Sequence, residues 1–483
     1  MKNNYTHDLI VIGAGAAGLT LTAGAAQLGM KVALIEREHM GGDCLYQGCV
    51  PSKSLIRAGH IWDEVDKLEN FGLPKISNRP TVDITKVLDR VHDVIEHIAP
   101  NDSVERYKGL GADVILGDAK FLSSHTIEVN TKKETMLLSA PKITIATGSS
   151  SLIIPFEGLD TVDYITNRDV FKLKKIPKKL LVIGAGPIGI ELSQALNNLG
   201  SEITILTKTN QILSIEDSDM AKFVQTALEE NNIKIYLNVT VKKILKEANL
   251  KKVEYTIDGK SFSWSGDTIM IATGRKGSIE GLNLEKAGVQ LNGRFIKVNK
   301  ALQTTQKHIL AIGDVNGKYL FTHVAGSEGS LAVRRQVLGL GGSMSYKNVP
   351  WVTYTSPELA SIGYNEKRAK AANIKYKVVE ASFDDNDRAC TEGRTKGKIK
   401  ILFDKNERVI GTQIVGPDAG SLITPAIYAV NNKWKLSKLY SPMLPYPTLS
   451  ELYKKAIGEY MGKKLFNNKI RKTLRVLKGY RGK

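Results

Sequence analysis

A repeat constrains this chain more than any other feature. Residues 9–37 read LIVIGAGAAGLTLTAGAAQLGMKVALIER and residues 180–208 read LLVIGAGPIGIELSQALNNLGSEITILTK; they align without a gap at an offset of 171. Each copy is an apolar strand-length run, a G-x-G-x-x-G turn, a helix-length segment closed by Gly29 or Gly200, and a second apolar run. This is the βαβ dinucleotide-binding pattern in its full context, which a lone glycine motif is not. The first glycine (Gly13, Gly184) permits the tight turn, the second (Gly15, Gly186) lets backbone approach a pyrophosphate, and the third (Gly18, Gly189) lets helix pack against strand. The helix N-terminus then meets the phosphates with free N–H groups. The expected fold is α/β, with two Rossmann-like dinucleotide-binding domains in one chain.

The first copy also raises a rival reading. No charged residue occurs from Leu9 to Met30, a length that could span a bilayer. Five glycines in that stretch, and its recurrence deep in the chain, argue for a strand and turn over a membrane span or signal peptide. With 483 residues, 42% hydrophobic and 24% charged, the chain has room for about three domains and does not read as disordered. Three cysteines are too few for a disulfide-stapled secreted scaffold or a four-cysteine zinc site.

The copies differ where the ligand is chosen. Glu36 ends the second strand of the first copy, placed to accept from ribose hydroxyls. Thr207 and Lys208 stand at that point in the second copy, and a neutral residue followed by a cation tolerates or attracts a 2′-phosphate. NADPH is therefore expected over NADH; the plainer reading makes Lys208 a solvated strand-end charge. A second repeat, ITIATG at 143–148 and IMIATG at 269–274 followed by Arg275, marks two crossings between nucleotide domains. They divide the chain into a first domain of 1–150 and 277–343 and a second of 151–276. The first closes with ILAIGDVNG at 309–317, where Asp314 suits hydrogen bonding to polyol hydroxyls or is a plain turn residue.

GGDCLYQGCVPSK places Cys44 and Cys49 five residues apart. In a regular helix that spacing puts Cα atoms about 8–9 Å apart, beyond the ~7 Å limit of a disulfide. A bridge would need a distorted helix start, which Gly48 could permit, and such bridges are the labile ones. A helix start would also lower a thiolate pKa. Metal binding with His39 or His60 lacks a familiar ligand spacing, and two inert core thiols are the bland reading. Cys390 has no sequence partner and reads as a plain buried or surface thiol.

The order of G-x-G-x-x-G, GGDCLYQGCVPSK, ATG, a second G-x-G-x-x-G, ATGR and a GD motif resembles the class I pyridine nucleotide–disulfide oxidoreductases, such as dihydrolipoamide dehydrogenase and mercuric reductase. The resemblance reaches about residue 462. It implies FAD at the first site, NAD(P)H at the second, and a homodimer built on a C-terminal α+β dimerisation domain, 344–462. It further implies a Cys44–Cys49 redox disulfide, with Cys49 facing the flavin and Cys44 attacking the acceptor. Lys53 resembles the lysine near the flavin ring, Glu191 its carboxylate partner, and His323 and Ala325 the segment along the flavin. The cofactor-binding candidates for the first site are Gly13, Gly15, Gly18, Glu36, Gly42, Lys53, Thr147, Gly148, Gly313, Asp314 and Ala325. Those around the second are Gly184, Gly186, Gly189, Thr207, Lys208, Gly274 and Arg275. No resident metal is expected.

One departure matters. Disulfide-reducing members carry His-Pro-x-x-x-Glu near the C-terminus; here Tyr446 stands at the His and Glu451 is kept. Mercuric reductases also place Tyr there, yet this chain shows no terminal cysteine pair and no C-x-x-C motif before the first βαβ unit. The acceptor is therefore left among a metal ion, a disulfide and a quinone, with a dihydrolipoamide dehydrogenase activity as the alternative. The net charge is +19, and residues 463–483 hold nine Lys or Arg and no acid. Phe466, Ile470, Leu474 and Leu477 recur there at helical spacing, so this tail is a basic amphipathic helix candidate for an anionic membrane surface, with nucleic acid the less favoured partner. The plainer reading is a solvated helix packed on its own domain. A flavin-bearing membrane- or nucleic-acid-binding protein is the alternative of another class. The expected location is cytoplasmic, with peripheral contact at the inner face of the membrane.

Overall fold

The computed structural model describes residues 5–78 and 80–480. The extreme ends of the first domain and of the basic tail, as read from sequence, thus lie outside the described residues. The chain forms two compact units: Met1–Asp66, Ile76–Lys208 and Lys234–Tyr346 make the first, and Lys67–Lys75, Thr209–Ile233 and Lys347–Lys483 the second.

In the first unit, both apolar runs of each repeat become parallel strands. Leu9–Ile12 pairs with Val32–Glu36 on one side and Ile143–Ile145 on the other, and Ile309–Ala311 extends the sheet beyond. Asp113–Phe121 follows Val32–Glu36 in parallel and leads into two antiparallel strands, Thr126–Thr131 and Thr135–Ser139. Leu9, Ile10 and Val11 are wholly buried, as befits a strand covered on both faces. The second repeat builds a four-stranded parallel sheet in the order Lys234–Tyr236, Glu202–Leu206, Lys179–Ile183, Thr268–Ile271. A three-stranded antiparallel sheet, Val239–Glu247, Leu250–Ile257 and Lys260–Gly266, accompanies it. The crossings between the two are the paired strands Ser149–Ser151 and Arg275–Gly277.

Two close helix packings set the site. A Cβ on Gly329 of helix Thr322–Ala332 would come 2.7 Å from the Ala17 carbonyl oxygen of helix Ala16–Gln27. A Cβ on Gly59 of helix Cys49–Val65 would come 3.0 Å from the Ala195 carbonyl oxygen of helix Pro187–Asn198. Both contacts need a residue without a side chain, and the second brings Lys53 and Glu191 of the facing helices within reach of each other.

The second unit is an antiparallel five-stranded sheet, ordered Trp351–Thr353, Glu358–Gly363, Val409–Gly416, Lys398–Phe403, Lys377–Ser382, with helix Leu452–Leu465 packed on it. Its core includes Phe383, Ile401, Phe403, Ile414, Tyr453 and Ile457. Segment 209–233 joins it through Glu216, which is buried and accepts from Trp351 Nε1 (2.5 Å), Gln413 Nε2 (2.6 Å) and Ser361 Oγ (2.8 Å). Burial pushes the Glu216 carboxyl up to about 7 against those three donors. The tail forms helix Asn468–Lys478, capped by Asn467 and with no buried residue. Among the described residues no helix is long and apolar enough to cross a membrane.

Candidate active site

The two sequence repeats meet each other. Gly13 has φ +104°, and a Cβ there would lie 2.4 Å from the Ala146 carbonyl oxygen; Gly184 has φ +115°, and its Cβ would lie 2.2 Å from that of Ala272. Each glycine turn is thus pressed against the ATG turn ending the neighbouring parallel strand, at the carboxyl ends where such sheets take ligands. The third glycines pack on the same turns: a Cβ on Gly18 would meet Gly13 O at 2.0 Å and one on Gly189 would meet Gly184 O at 2.3 Å. The middle glycines differ, since a Cβ on Gly15 or Gly186 would have no atom within 4 Å. Gly42 closes on the first turn, its Cβ position 3.0 Å from Gly15 Cα.

A cavity of about 360 Å³ opens there, lined among others by Gly15, Glu36, Gly42, Asp43, Thr147 and Gly148. Glu36 faces it while accepting from the Ala14 N–H (2.7 Å) and the Glu38 N–H (2.8 Å). Asp314 accepts from Ser149 Oγ at 2.6 Å. Burial pushes its carboxyl up, against that bond and the nearby Arg275. Gly313 and Ala325 pack together, and Glu328, buried one turn along the helix from Ala325, accepts from the Gly313 N–H at 2.6 Å.

The cysteines lie on either side of a break between two helices. Cys44 is in the short helix Gly42–Tyr46 and Cys49 opens helix Cys49–Val65, with Gly48 between at φ −129°, ψ −110°. Both are free thiols here, Cys49 exposed and Cys44 half-buried. Cys49 Sγ lies 3.2 Å from Thr322 Oγ1 at the start of helix Thr322–Ala332. The hydrogen bond from Cys44, then those from Thr322 and the charge of Lys53, bring the Cys49 thiol down to about 6 against burial. Giving that bond, with burial, pushes the Cys44 thiol up. The arrangement thus favours the thiolate on Cys49 and the protonated thiol on Cys44. The connecting loop is fixed at Gln47, whose carbonyl accepts from Asn167 Nδ2 (3.0 Å) and whose side chain accepts from Arg168. One helical turn after Cys49, Lys53 Nζ donates to Glu191 Oε2 at 2.8 Å, and Glu191 is 7% exposed.

Tyr446 and Glu451 belong to the second unit. Tyr446 is exposed, and its hydroxyl donates to Asp387 Oδ2 at 2.8 Å. That bond and the Asp387 charge hold the Tyr446 hydroxyl above its ordinary pKa. Glu451 completes a capping box with Thr448.

Sequence comparison agrees with this layout. The pyridine nucleotide-disulphide oxidoreductase family model matches residues 7–329, and that of its dimerisation domain matches residues 349–457. The chain belongs to this family. A mercuric reductase of Bacillus cereus is 35% identical over 458 residues, covering 94% of this chain and 72% of that one. A dihydrolipoyl dehydrogenase of Bacillus subtilis is 30% identical over 455 residues, covering 94% and 98%. Among solved structures, the Cu(II) complex of the HOCl-induced flavoprotein disulfide reductase RclA from Escherichia coli is similar, with TM-score 0.83, 27% identity, and 94% and 99% coverage. The chain is thus an FAD-dependent oxidoreductase of this family, whose members use FAD and NAD(P)H, and the dimerisation domain supports a homodimer. The comparisons give no support for a membrane contact of the tail.

The residues at the first cradle fit FAD. The Thr147 hydroxyl is buried there without a hydrogen-bond partner among the described residues, and the Gly15 face is open to a phosphate. At the second cradle, Thr207 is buried and gives its backbone to Tyr236 and Val239, while Lys208 is exposed. Gly274 turns at φ +123°, and Arg275 reaches Asp43 and Ser149. His323 is exposed and stacks on Phe321 with centroids 5.3 Å apart. Asp43, Ser149, Thr322 and Glu328 are at the site without having been singled out from sequence. Each lies inside or beside a motif that was, but its partner is more than 200 residues away or on another element.

Proposed function

We propose that this oxidoreductase takes electrons preferentially from NADPH and passes them through the Cys44–Cys49 pair to a soft, thiophilic metal ion. In this reading residues 1–150 and 277–343 hold FAD, 151–276 the nicotinamide coenzyme, and 344–462 the dimer contact. Bound FAD supplies two-electron transfer between a nicotinamide and a disulfide. Cys49 carries the thiolate, steadied by Thr322 and Lys53, and Cys44 meets the acceptor. The balance closes: NADPH, a proton and the disulfide give NADP⁺ and two thiols, and two thiols with two Cu(II) give the disulfide, two Cu(I) and two protons. One Hg(II) takes the same two electrons.

The observation carrying the choice of acceptor is Tyr446. Reducing an organic disulfide requires a proton delivered to the leaving thiolate, and a group near pKa 6.5 does this well. Asp387 holds the Tyr446 proton more tightly than an ordinary phenol, so Tyr446 is a poor substitute. Such a loss costs about 10²–10⁴ in rate. A metal ion needs only sulfur ligands, and soft thiolates suit copper and mercury ions. The mercuric reductase relative and the Cu(II)-bound RclA support this class.

NADPH oxidation should be followed with Hg(II), Cu(II), lipoamide, glutathione disulfide and a quinone in parallel. Turnover with one of the metal ions is expected to exceed that with lipoamide by about a hundredfold. Lipoamide turnover matching the metals would restore the dihydrolipoamide dehydrogenase reading, which the Bacillus subtilis relative favours. The coenzyme choice has its own check. Lys208→Glu is expected to lower the NADPH-to-NADH ratio of kcat/KM by about tenfold, the worth of one charge-assisted contact. A wild-type ratio near or below one would remove the preference.

A further inference from the structure

We propose that Arg275 serves the redox centre as a positioning residue, neutralising Asp43 and clamping the Cys44 loop to the domain crossing, and not as a direct contact to the cofactor. The inference rests on the FAD dependence of the family and is independent of which acceptor is used.

Asp43 precedes Cys44 and lines the same cavity as Gly15, Gly42 and Thr147. A carboxylate is a poor neighbour there on two counts. It repels a pyrophosphate approaching the Gly15 turn, and its charge works against the Cys49 thiolate. The structure compensates with one guanidinium. Arg275 Nη2 donates to Asp43 Oδ2 at 2.8 Å and to the Ser149 carbonyl oxygen at 2.9 Å, and Nε donates to Ser149 Oγ at 2.7 Å. Ser149 Oγ in turn donates to Asp314 Oδ2, which lies 4.0 Å from Arg275 Nε. One cation thus stands between two carboxylates, and its side chain is 12% exposed. Planar, multiply donating contacts of this kind are what guanidinium provides and ammonium does not.

The placement gives the pair a mechanical role as well. Arg275 and Ser149 open the two crossing strands, whose register pairs Arg275 with Ser151 and Ser149 with Gly277. The Asp43 end of the redox loop is therefore anchored to the crossing, while its Gln47 end is anchored by Asn167 and Arg168. Cys44 lies between the two anchors.

The test is a charge-removal cycle on the full-length holoenzyme, read by FAD affinity (flavin fluorescence titration after deflavination) and by the pH midpoint of Cys49 alkylation in the reduced protein. Arg275→Met is expected to weaken FAD binding by about tenfold or more and to raise the alkylation midpoint, because Asp43 is left unpaired. Asp43→Asn alone is expected to keep FAD affinity and to lower the midpoint. The double variant Arg275→Met/Asp43→Asn is expected to recover FAD affinity to within about threefold of wild type. A double variant as weak as Arg275→Met would show that Arg275 acts on the cofactor itself and overturn the proposal. Unchanged FAD affinity and midpoint in Arg275→Met would overturn it too. Should Arg275→Met fail to fold, Asp43→Asn decides alone, since loss of FAD or a raised midpoint in that variant contradicts the neutralising role.

Discussion

Cys44→Ala is expected to stop acceptor reduction and, in the same protein, to move Cys49 alkylation up from a midpoint near pH 6. The two effects have separate causes. Acceptor reduction needs two sulfurs that can part and rejoin, and alanine at one of them leaves no bond to cycle and no donor to Cys49. The alkylation shift follows from the hydrogen bond that the Cys44 thiol gives to Cys49, the largest of the influences favouring the thiolate. A group with pKa about 6 is about 90% ionised at pH 7, whereas a free thiol near 8.5 is about 3% ionised, so alkylation at neutral pH is expected to fall by up to about thirtyfold. The sign is fixed: Cys49 reactivity in the wild type is lost as pH falls through about 6 and retained above it. Thr322→Val is expected to raise the midpoint by a smaller step, because its hydroxyl at 3.2 Å ranks after Cys44. The check is the rate of iodoacetamide capture at Cys49 between pH 5 and about pH 9, after dithiol reduction. A midpoint unmoved by Cys44→Ala would mean that Thr322 and Lys53 hold the charge without help from Cys44.

Much of the nucleotide-binding fold can be read from local pattern. Period and glycine placement specify strand, turn and helix within thirty or so residues, and the glycines at 13 and 184 meet the ATG turns because close backbone approach forbids any side chain there. The roles of other polar residues depend on partners brought in by the fold. Asp43 finds Arg275 at a separation of 232 residues, and Cys49 finds Thr322 at 273. Nothing in the periodicity of either segment marks that meeting. Glu36 illustrates a subtler limit: the spacing puts an acid at the ribose end of the strand, but its oxygens also accept from the Ala14 and Glu38 N–H groups, shaping the turn itself. Segment 209–233 follows directly on the second βαβ unit, yet it packs with the C-terminal unit through Glu216, a buried acid whose three donors come from three different strands or their neighbours. The helix over Asn468–Lys478 is local and legible; what its apolar residues face is not a property of spacing.

Lys53→Met is expected to destabilise the protein and to slow coenzyme-driven reduction, and a second substitution separates the two losses. Glu191 is 7% exposed and 2.8 Å from Lys53 Nζ, so removing the ammonium leaves a buried carboxylate short of its cation. Breaking a fully buried pair from one side costs about 3–5 kcal/mol; with Lys53 36% exposed, the discounted expectation is about 1–3 kcal/mol. Glu191→Gln in the Lys53→Met background removes the stranded charge, so most of that stability is expected to return, and a urea-unfolding cycle should show a coupling of about 1 kcal/mol or more. Reduction of the bound flavin by NADPH should not return with it, because an amide and a thioether cannot replace a cation that favours negative charge on the cofactor. Stopped-flow reduction rates for the single and double variants, set beside their unfolding curves, make the distinction. Recovery of rate along with stability would reduce Lys53 to a structural partner of Glu191, with its approach to Cys49 no more than a consequence of lying one turn along the same helix.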